Sequence, residues 1–404
     1  MTMRGMTDHL AFGKRVRFYR ERRGLHQWQL GELLNRSEDW VYRVEAGRIP
    51  VNNVRMLADL ADALRVRLED LQGTPALLGD RDDHKGSVPA IRAALMKSRG
   101  LSGALVDGRE PPQPGRVAFE MERAWDLYQS SQYARLAAVL PGLLVDARSA
   151  ARKHVGAQRT EALRLFALAL HVAAVFLRKL GETNLAWTAV DQGDIAASET
   201  GDPVVVLALR RGVAHVQLGA GLAEEAVGVT LDATNDLAPG WWESSRPALS
   251  VYGTLFLNGA VAAARMRDRA LTGEMLDRAQ RAADRLGADG NEMWTSFGPA
   301  NVGIHRLATA LELGDIQAAA DMAPRVRAAG LPLERRARLS LDVARAYGEA
   351  GHTDEAVDHL KRAFRTAPEQ IRAHEFARDL ARRLHRRTRR RDAQELAVRL
   401  GAIT

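Results

Sequence analysis

A glycine followed five residues later by an alanine occurs at Gly181/Ala186, Gly221/Ala226, Gly314/Ala319 and Gly351/Ala356, the first two copies 40 residues apart and the last two 37. That period is the length of one stacked helix hairpin, in which the glycine makes the turn and the small alanine lets the paired helices approach closely. From Val117 to the end, apolar residues recur at three- and four-residue spacing, broken by Gly- or Pro-bearing turns and never alternating as a strand would require. The spacing predicts an all-α domain over 117–404.

The last copy is the cleanest: Tyr347, Gly351, Ala356, Leu360, Ala363 and Pro368 stand at the offsets of a tetratricopeptide repeat, which implies an α-solenoid. Between Gly221 and Gly314, Thr272, Leu276 and Ala279 mark weaker copies. The composition agrees, since 46% of the residues are hydrophobic but only 5% aromatic, so the core is built from Leu, Ala and Val. No cysteine is present, which removes disulfides, thiolate metal sites and cysteine nucleophiles together. A formal charge of +8 favours a polyanionic partner. The chain has no uninterrupted apolar run of about 18 residues, and Met1 to His9 lacks the apolar core of a signal peptide. A cytoplasmic protein that does not engage a membrane is expected.

Ahead of the solenoid, residues 1–72 read as about five short helices separated by turns at Arg23-Gly24, Asn35-Arg36-Ser37 and Ala46-Gly47. Residues 73–116 are rich in Gly, Pro and Asp and read as a linker with one embedded helix at 88–98. Within the first segment a helix starts near Gln27, packs through Leu30, Leu33 and Leu34, and ends at Asn35, which tolerates a left-handed turn. Ser37 caps a second helix that buries Val41 and Val44 and leaves Glu38, Asp39, Tyr42 and Arg43 on the opposite face, where a major groove would receive them.

Gln27, Leu30, Ser37, Val41, Val44, Glu45, Gly47 and Pro50 all stand at positions characteristic of the xenobiotic-response-element family of phage-repressor-like helix-turn-helix proteins, which residues 12–71 resemble. The resemblance implies that Gln27 bonds a phosphate, that Arg43, Glu38 and Asp39 face base edges, and that Arg48 binds the backbone. It also implies that Arg20 pairs with Glu45 and pins the recognition helix. Glu38 and Asp39 place two negative charges where many relatives carry Gln, Arg or Ser. They either accept from cytosine N4 or complement the positive helix N-terminus. Trp40 is a phosphate neighbour or a packing residue. The Arg-rich run 382–391 is a solvated helix face, or it grips flanking DNA or an acidic partner surface.

The full arrangement resembles the repeat-bearing regulators of actinobacteria and the peptide-pheromone receptors of Gram-positive bacteria. It implies a homodimer formed through the repeat domain on a palindromic operator in double-stranded DNA, with a peptide, small-molecule or protein effector bound by that domain in the concave groove. Candidate groove residues are Tyr252, Asn258, Trp294, Phe297, Asn301 and His305, and the alternative for each is packing or local hydrogen bonding. No phosphate loop, paired-histidine zinc motif or nucleophile elbow appears. His352 and His359 lack ligand partners and read as surface residues. The expectation is therefore a DNA-binding transcriptional regulator with no cofactor, no metal and no catalytic residues. The alternatives are a protein-interaction adaptor and a phage- or antitoxin-type repressor.

Overall fold

Every regular element among the described residues is helical. The computed structural model describes residues 3–23, 25–49, 51, 54–64, 66, 71, 87–96, 110–235, 237–238, 240–388 and 390–403. The chain divides into two compact units, 1–79 and 80–404.

The first unit contains α1 (Met3–Arg22), α2 (Gln27–Leu33), α3 (Glu38–Glu45) and α4 (Val54–Leu64). The fifth expected helix and Pro50 fall mainly or wholly outside the described residues. Val16, Leu30, Val41, Val44 and Leu60 are almost fully buried and make one small core. Leu33, expected in that core, is instead 56% exposed, because helix α2 turns it outward. Asn35 takes the left-handed conformation at φ 51°, and the Arg36 amide then donates to the Gly31 carbonyl at 2.8 Å. This bond closes α2 and reverses the chain toward α3. Ser37 Oγ accepts from the Trp40 amide at 3.2 Å, which makes Ser37 the N-cap of α3.

The second unit starts with α5 (Ser87–Met96), which lies against the repeats. Arg148 Nη1 donates to the Ala94 carbonyl at 2.6 Å and Gln192 Nε2 to the Leu95 carbonyl at 3.2 Å, satisfying the open end of α5, while Ile91 and Leu95 are buried. The helix expected at 88–98 thus packs on the solenoid, and the flanking stretches 73–86 and 97–109 assigned to the linker lie outside the described residues.

Six hairpins follow: α6 (Pro114–Gln129) with α7 (Tyr133–Lys153), α8 (Gly156–Lys179) with α9 (Thr183–Ser198), and α10 (Pro203–Gly219) with α11 (Ala223–Asn235). Next come α12 (Arg246–Arg265) with α13 (Arg269–Leu286), α14 (Pro299–Leu313) with α15 (Ile316–Met322), and α16 (Leu333–Ala350) with α17 (Thr353–Thr366). The short α18 (Pro368–Ala373), α19 (Glu375–Arg387) and α20 (Arg391–Arg399) finish the array.

Each of these six turns is built in one way. Ser131, Gly181, Gly221, Arg267, Gly314 and Gly351 hold left-handed φ values of 57–91°. The next amide donates back five residues at 2.9–3.0 Å, as from Glu182 to Leu177 and from His352 to Tyr347. Five residues beyond each turn stand Leu136, Ala186, Ala226, Thr272, Ala319 and Ala356, all buried. The glycine-to-alanine pattern therefore has two further copies in which larger residues occupy the same slots. Arg267 takes the glycine position of the weak copy, and Ser131 opens a hairpin with neither marker.

Helices α8 and α12 are long and apolar enough to cross a membrane, but 83% of each apolar stretch is buried in the repeat core. They are the inner helices of their hairpins. At the far end, the Arg-rich run is largely consumed by the fold. Arg387 donates to the Gly348 carbonyl, Arg382 to the Ala402 carbonyl, Arg383 pairs with Asp379, and Arg390 bonds both Asp358 and Asp392. Arg391, 91% exposed at its side chain, pairs among the described residues only with Glu395 of its own helix.

Because a non-glycine residue in the left-handed region costs about 1–2 kcal/mol, Arg267→Gly is expected to stabilise the second unit by about 0.5–1 kcal/mol, despite losing the exposed bond to the Leu313 carbonyl. Ser131→Gly is expected to give no such gain, since it removes a buried hydroxyl bond to Gln370. Urea denaturation of the two variants checks the contrast.

Candidate functional site

In the first unit, α3 is fixed from behind. Gly13 on α1 leaves no room for a side chain, since a Cβ there would strike the Val44 and Glu45 carbonyls, and so the two helices touch backbone to backbone. Arg20 reaches across this contact and binds Glu45 in a fork, Nε to Oε1 at 2.6 Å and Nη2 to Oε2 at 3.0 Å, with both residues more than 90% buried. Its remaining Nη1 donates to the Leu25 carbonyl at 2.7 Å. Gln27 joins the pair, its amide donating to Glu45 Oε2 at 2.8 Å. One N–H of the half-buried Gln27 amide is thereby used on the carboxylate, and the second is left for the expected phosphate.

Opposite this anchor, Glu38, Asp39, Tyr42, Arg43 and Arg48 are exposed. Glu38 and Asp39 occupy the first turn of α3, where the helix dipole favours negative charge. Asp39 and Arg43 stand 3.9 Å apart and well exposed, so their attraction contributes little. Arg48 lies over the Tyr42 ring at 5.2 Å and Arg36 over Trp40 at 5.8 Å. Trp40 is half-buried against the core, so its indole packs while its rim stays open beside Arg36.

In the second unit the six candidate groove residues do not form one site. Phe297 is fully buried directly over Gly253, whose Cβ position its ring occupies. It plugs the core between α12 and α14. Asn301 is also fully buried, its amide donating to the Thr295 carbonyl at 3.5 Å. Trp294 stacks on Trp125 of α6 with ring centres 5.4 Å apart and planes within 7°. Tyr252 stacks on Trp242 at 5.1 Å. Asn258 donates to the Arg211 carbonyl at 3.2 Å, bridging α12 to α10. His305 bonds the Asn301 carbonyl at 2.9 Å, and burial, with Arg335 nearby, pushes its pKa down to about 3. It is neutral around pH 7.

What the sequence does not show is that the array bends back on itself. Gln129 of α6 exchanges amide hydrogen bonds with Asn291 in the loop before α14, at 3.0 and 2.8 Å. The Ser131 hydroxyl donates to Gln370 Oε1 at 2.9 Å, and the Ala134 amide to Glu369 Oε2 at 2.8 Å. Lys179, at the end of α8, binds Glu334, at the start of α16, at 2.6 Å with both side chains over 90% buried. The first two hairpins therefore meet the loop before α14, the start of α16 and the short α18. His359, expected on the surface, is half-buried against Tyr347 at 5.5 Å, whereas His352 is exposed.

Burial by itself would raise the Glu334 carboxyl, but Lys179 and Arg335 reverse this and hold it at about 2. Its contribution is thus complete above the ordinary glutamate value and is lost as pH falls through about 4 toward 2. Glu334→Gln is expected to cost about 3 kcal/mol at pH 7, because it strands a buried ammonium. The gap between variant and parent should narrow as the pH is lowered from 6 to 3, which denaturation at several pH values measures. In the first unit, Glu45→Ala should cost about 3–5 kcal/mol by leaving Arg20 buried and unpaired, whereas Arg43→Ala should stay within about 0.5 kcal/mol. Equal stabilities for those two variants would refute the anchoring role.

No curated protein sequence is significantly similar to the chain. Among solved structures, one that is similar is PlcR of Bacillus thuringiensis in complex with the peptide PapR7 and DNA. It has 14% identity and a TM-score of 0.31, over 69% of this chain and 96% of that one. Another is a Rap protein complexed with competence and sporulation factor, at 13% identity and a TM-score of 0.47, over 90% of this chain and 100% of that one. Residues 11–72, which span the Arg20–Glu45 anchor and the whole of α3, match the family model of a helix-turn-helix domain.

Proposed function

We propose that the protein is a sequence-specific DNA-binding transcriptional regulator of the xenobiotic-response-element type, with no catalytic role of its own, whose repeat unit receives an effector. The observation that carries this reading is the exposed face of α3. Its first turn, Tyr42 and Arg43 project away from a helix that Arg20, Gln27 and Glu45 hold rigidly from the other side. A helix so presented enters the major groove by its N-terminal end, and Arg43 is the side chain suited to a guanine edge. Arg36 and Arg48, flanking α3, supply phosphate contacts.

The two acidic residues of the first turn set the character of the binding. They lower attraction for generic duplex and leave discrimination to base contacts, so that the operator is chosen rather than merely held. Homodimerisation on a palindromic site would place two copies of α3 about one duplex turn apart. Effector binding in the repeat unit would act by changing the separation or orientation of those helices.

Arg43→Ala is expected to weaken binding to the operator by about 1–3 kcal/mol and to flatten discrimination at one base pair, with the fold unchanged. Asp39→Asn is expected to raise affinity for unrelated duplex severalfold and to steepen the salt dependence. Footprinting followed by titration at two salt concentrations measures both. A parent protein that protects no discrete site would end the regulator reading in favour of an adaptor.

A further inference from the structure

The inner face of the closed repeat array contains cations without counterions. Arg211 of α10 is 94% buried, yet among the described residues no carboxylate pairs with it. Its Nη2 lies 3.4 Å from His171 Nε2, and its Nε has no partner at all. Arg178 of α8, laid along Gly219 of α10, likewise has no paired carboxylate and a buried Nε without a partner. Arg211, His215 and Gly219 follow one another at four-residue steps on α10, so Arg178 and Arg211 border one strip of that helix.

The closure brings a third arginine to the same place. Arg335 of α16 acts electrostatically on both Arg211 and His215, and Arg178 and Lys179 act on His215 as well. Glu334 is the acid at this junction, and it is already bound to Lys179 at 2.6 Å and to Arg335 at 3.4 Å. Burial, then the repulsion of Arg335, pushes the Arg211 guanidinium down to about 10, and burial lowers Arg178 too. The phenol of Tyr128 on α6 lies within the field of Arg178, Arg211 and Arg335, is raised by burial, and stays a neutral hydrogen-bond donor. Apart from Glu334, which Lys179 and Arg335 already engage, these groups offer donors or positive charge. A fold that buries such an excess is incomplete without negative charge from outside, because isolated buried ions are strongly disfavoured.

We infer that the inner face of the repeat array is an oxyanion site, in which Arg178, Arg211 and Arg335, with the Tyr128 hydroxyl, bind a carboxylate or phosphate of the effector. The inference rests on the reading of the repeat unit as an effector domain and gives that effector its chemistry: an anionic group is the anchor. Tyr252 and Phe297 are occupied in packing elsewhere, while Trp294 stacks on Trp125, which lies edge-on to His171 beside Arg211.

The test uses the full chain without DNA, so that its outcome is independent of operator binding. Inorganic phosphate and acetylated trileucine, the latter with a free or an amidated C-terminus, are titrated by calorimetry and thermal denaturation at constant ionic strength. The expected result is saturable stabilisation by phosphate or by the free-carboxyl peptide, reduced at least tenfold in affinity by Arg211→Met and by Arg178→Met. Arg269→Met, which removes an exposed arginine paired with Asp315, should leave it unchanged. A response to phosphate alone marks a phosphorylated effector. A response to the free but not the amidated peptide marks a terminal carboxylate.

Without anion, Arg211→Met is expected to melt at or above the parent temperature, since it removes an uncompensated buried charge. A methionine variant that fails to fold or melts lower would assign Arg211 a structural role and overturn the inference. So would a parent chain that binds neither anion better than chloride. Anion binding by a chain that protects no DNA would uphold this site while refuting the regulator, and the opposite pair of results would do the reverse.

Discussion

One left-handed residue per hairpin governs the geometry of the second unit. A helix leaves its last carbonyls open, and a single residue at positive φ lets an amide return to the carbonyl five residues back and redirects the chain into the next helix. Six turns share this bond at nearly constant length. Their regularity gives each hairpin a similar curvature, and accumulated curvature is what brings Lys179 to Glu334 and Ser131 to Gln370. The inner face and its arginines face one another only because of that return.

The first unit uses a different device for the same end of rigidity. A buried ion pair gives little net stability over an apolar replacement, but once present it penalises any displacement that separates its members. Arg20 and Glu45, with Gln27 and the Leu25 carbonyl around them, therefore fix the angle of α3 to α1 more strictly than Val41 and Val44 do. Apolar contacts tolerate sliding, whereas the fork geometry of a guanidinium on a carboxylate does not. The free face of α3 gains definition from groups that never touch it.

The two units thus divide two kinds of electrostatics. The positive charge buried at the Arg20 anchor is matched by Glu45, while the mixed charges around α3 lie in solvent and are screened by salt. On the inner face of the repeats, Arg211 is buried and Arg178 half-buried, each with a buried Nε that has no partner among the described residues. A partner charge in such an environment acts much more strongly than at the surface, so a small anion there has leverage over the closure of the array that an external salt bridge lacks.

The Arg20–Glu45 pair, 25 residues apart, was implied only by the family resemblance; the sequence by itself determined the helical class, four of the six repeat turns and the short helix opened by Ser37. Each of these depends on local spacing, on a residue's tolerance for left-handed backbone or on a short-range motif, all of which are written along the chain. The turns at Ser131 and Arg267 escaped it because the fold imposes positive φ on residues that do not advertise it. Only the tertiary structure decided the interior. Phe297, Asn301 and His305 share a helical spacing and are all buried in the core, and the Gln27 amide bonds Glu45. Arg178, Arg211 and Arg335 lie on three helices up to 157 residues apart, so no local pattern signals their meeting. It follows from the sum of many hairpin rotations, a quantity no single stretch of sequence contains.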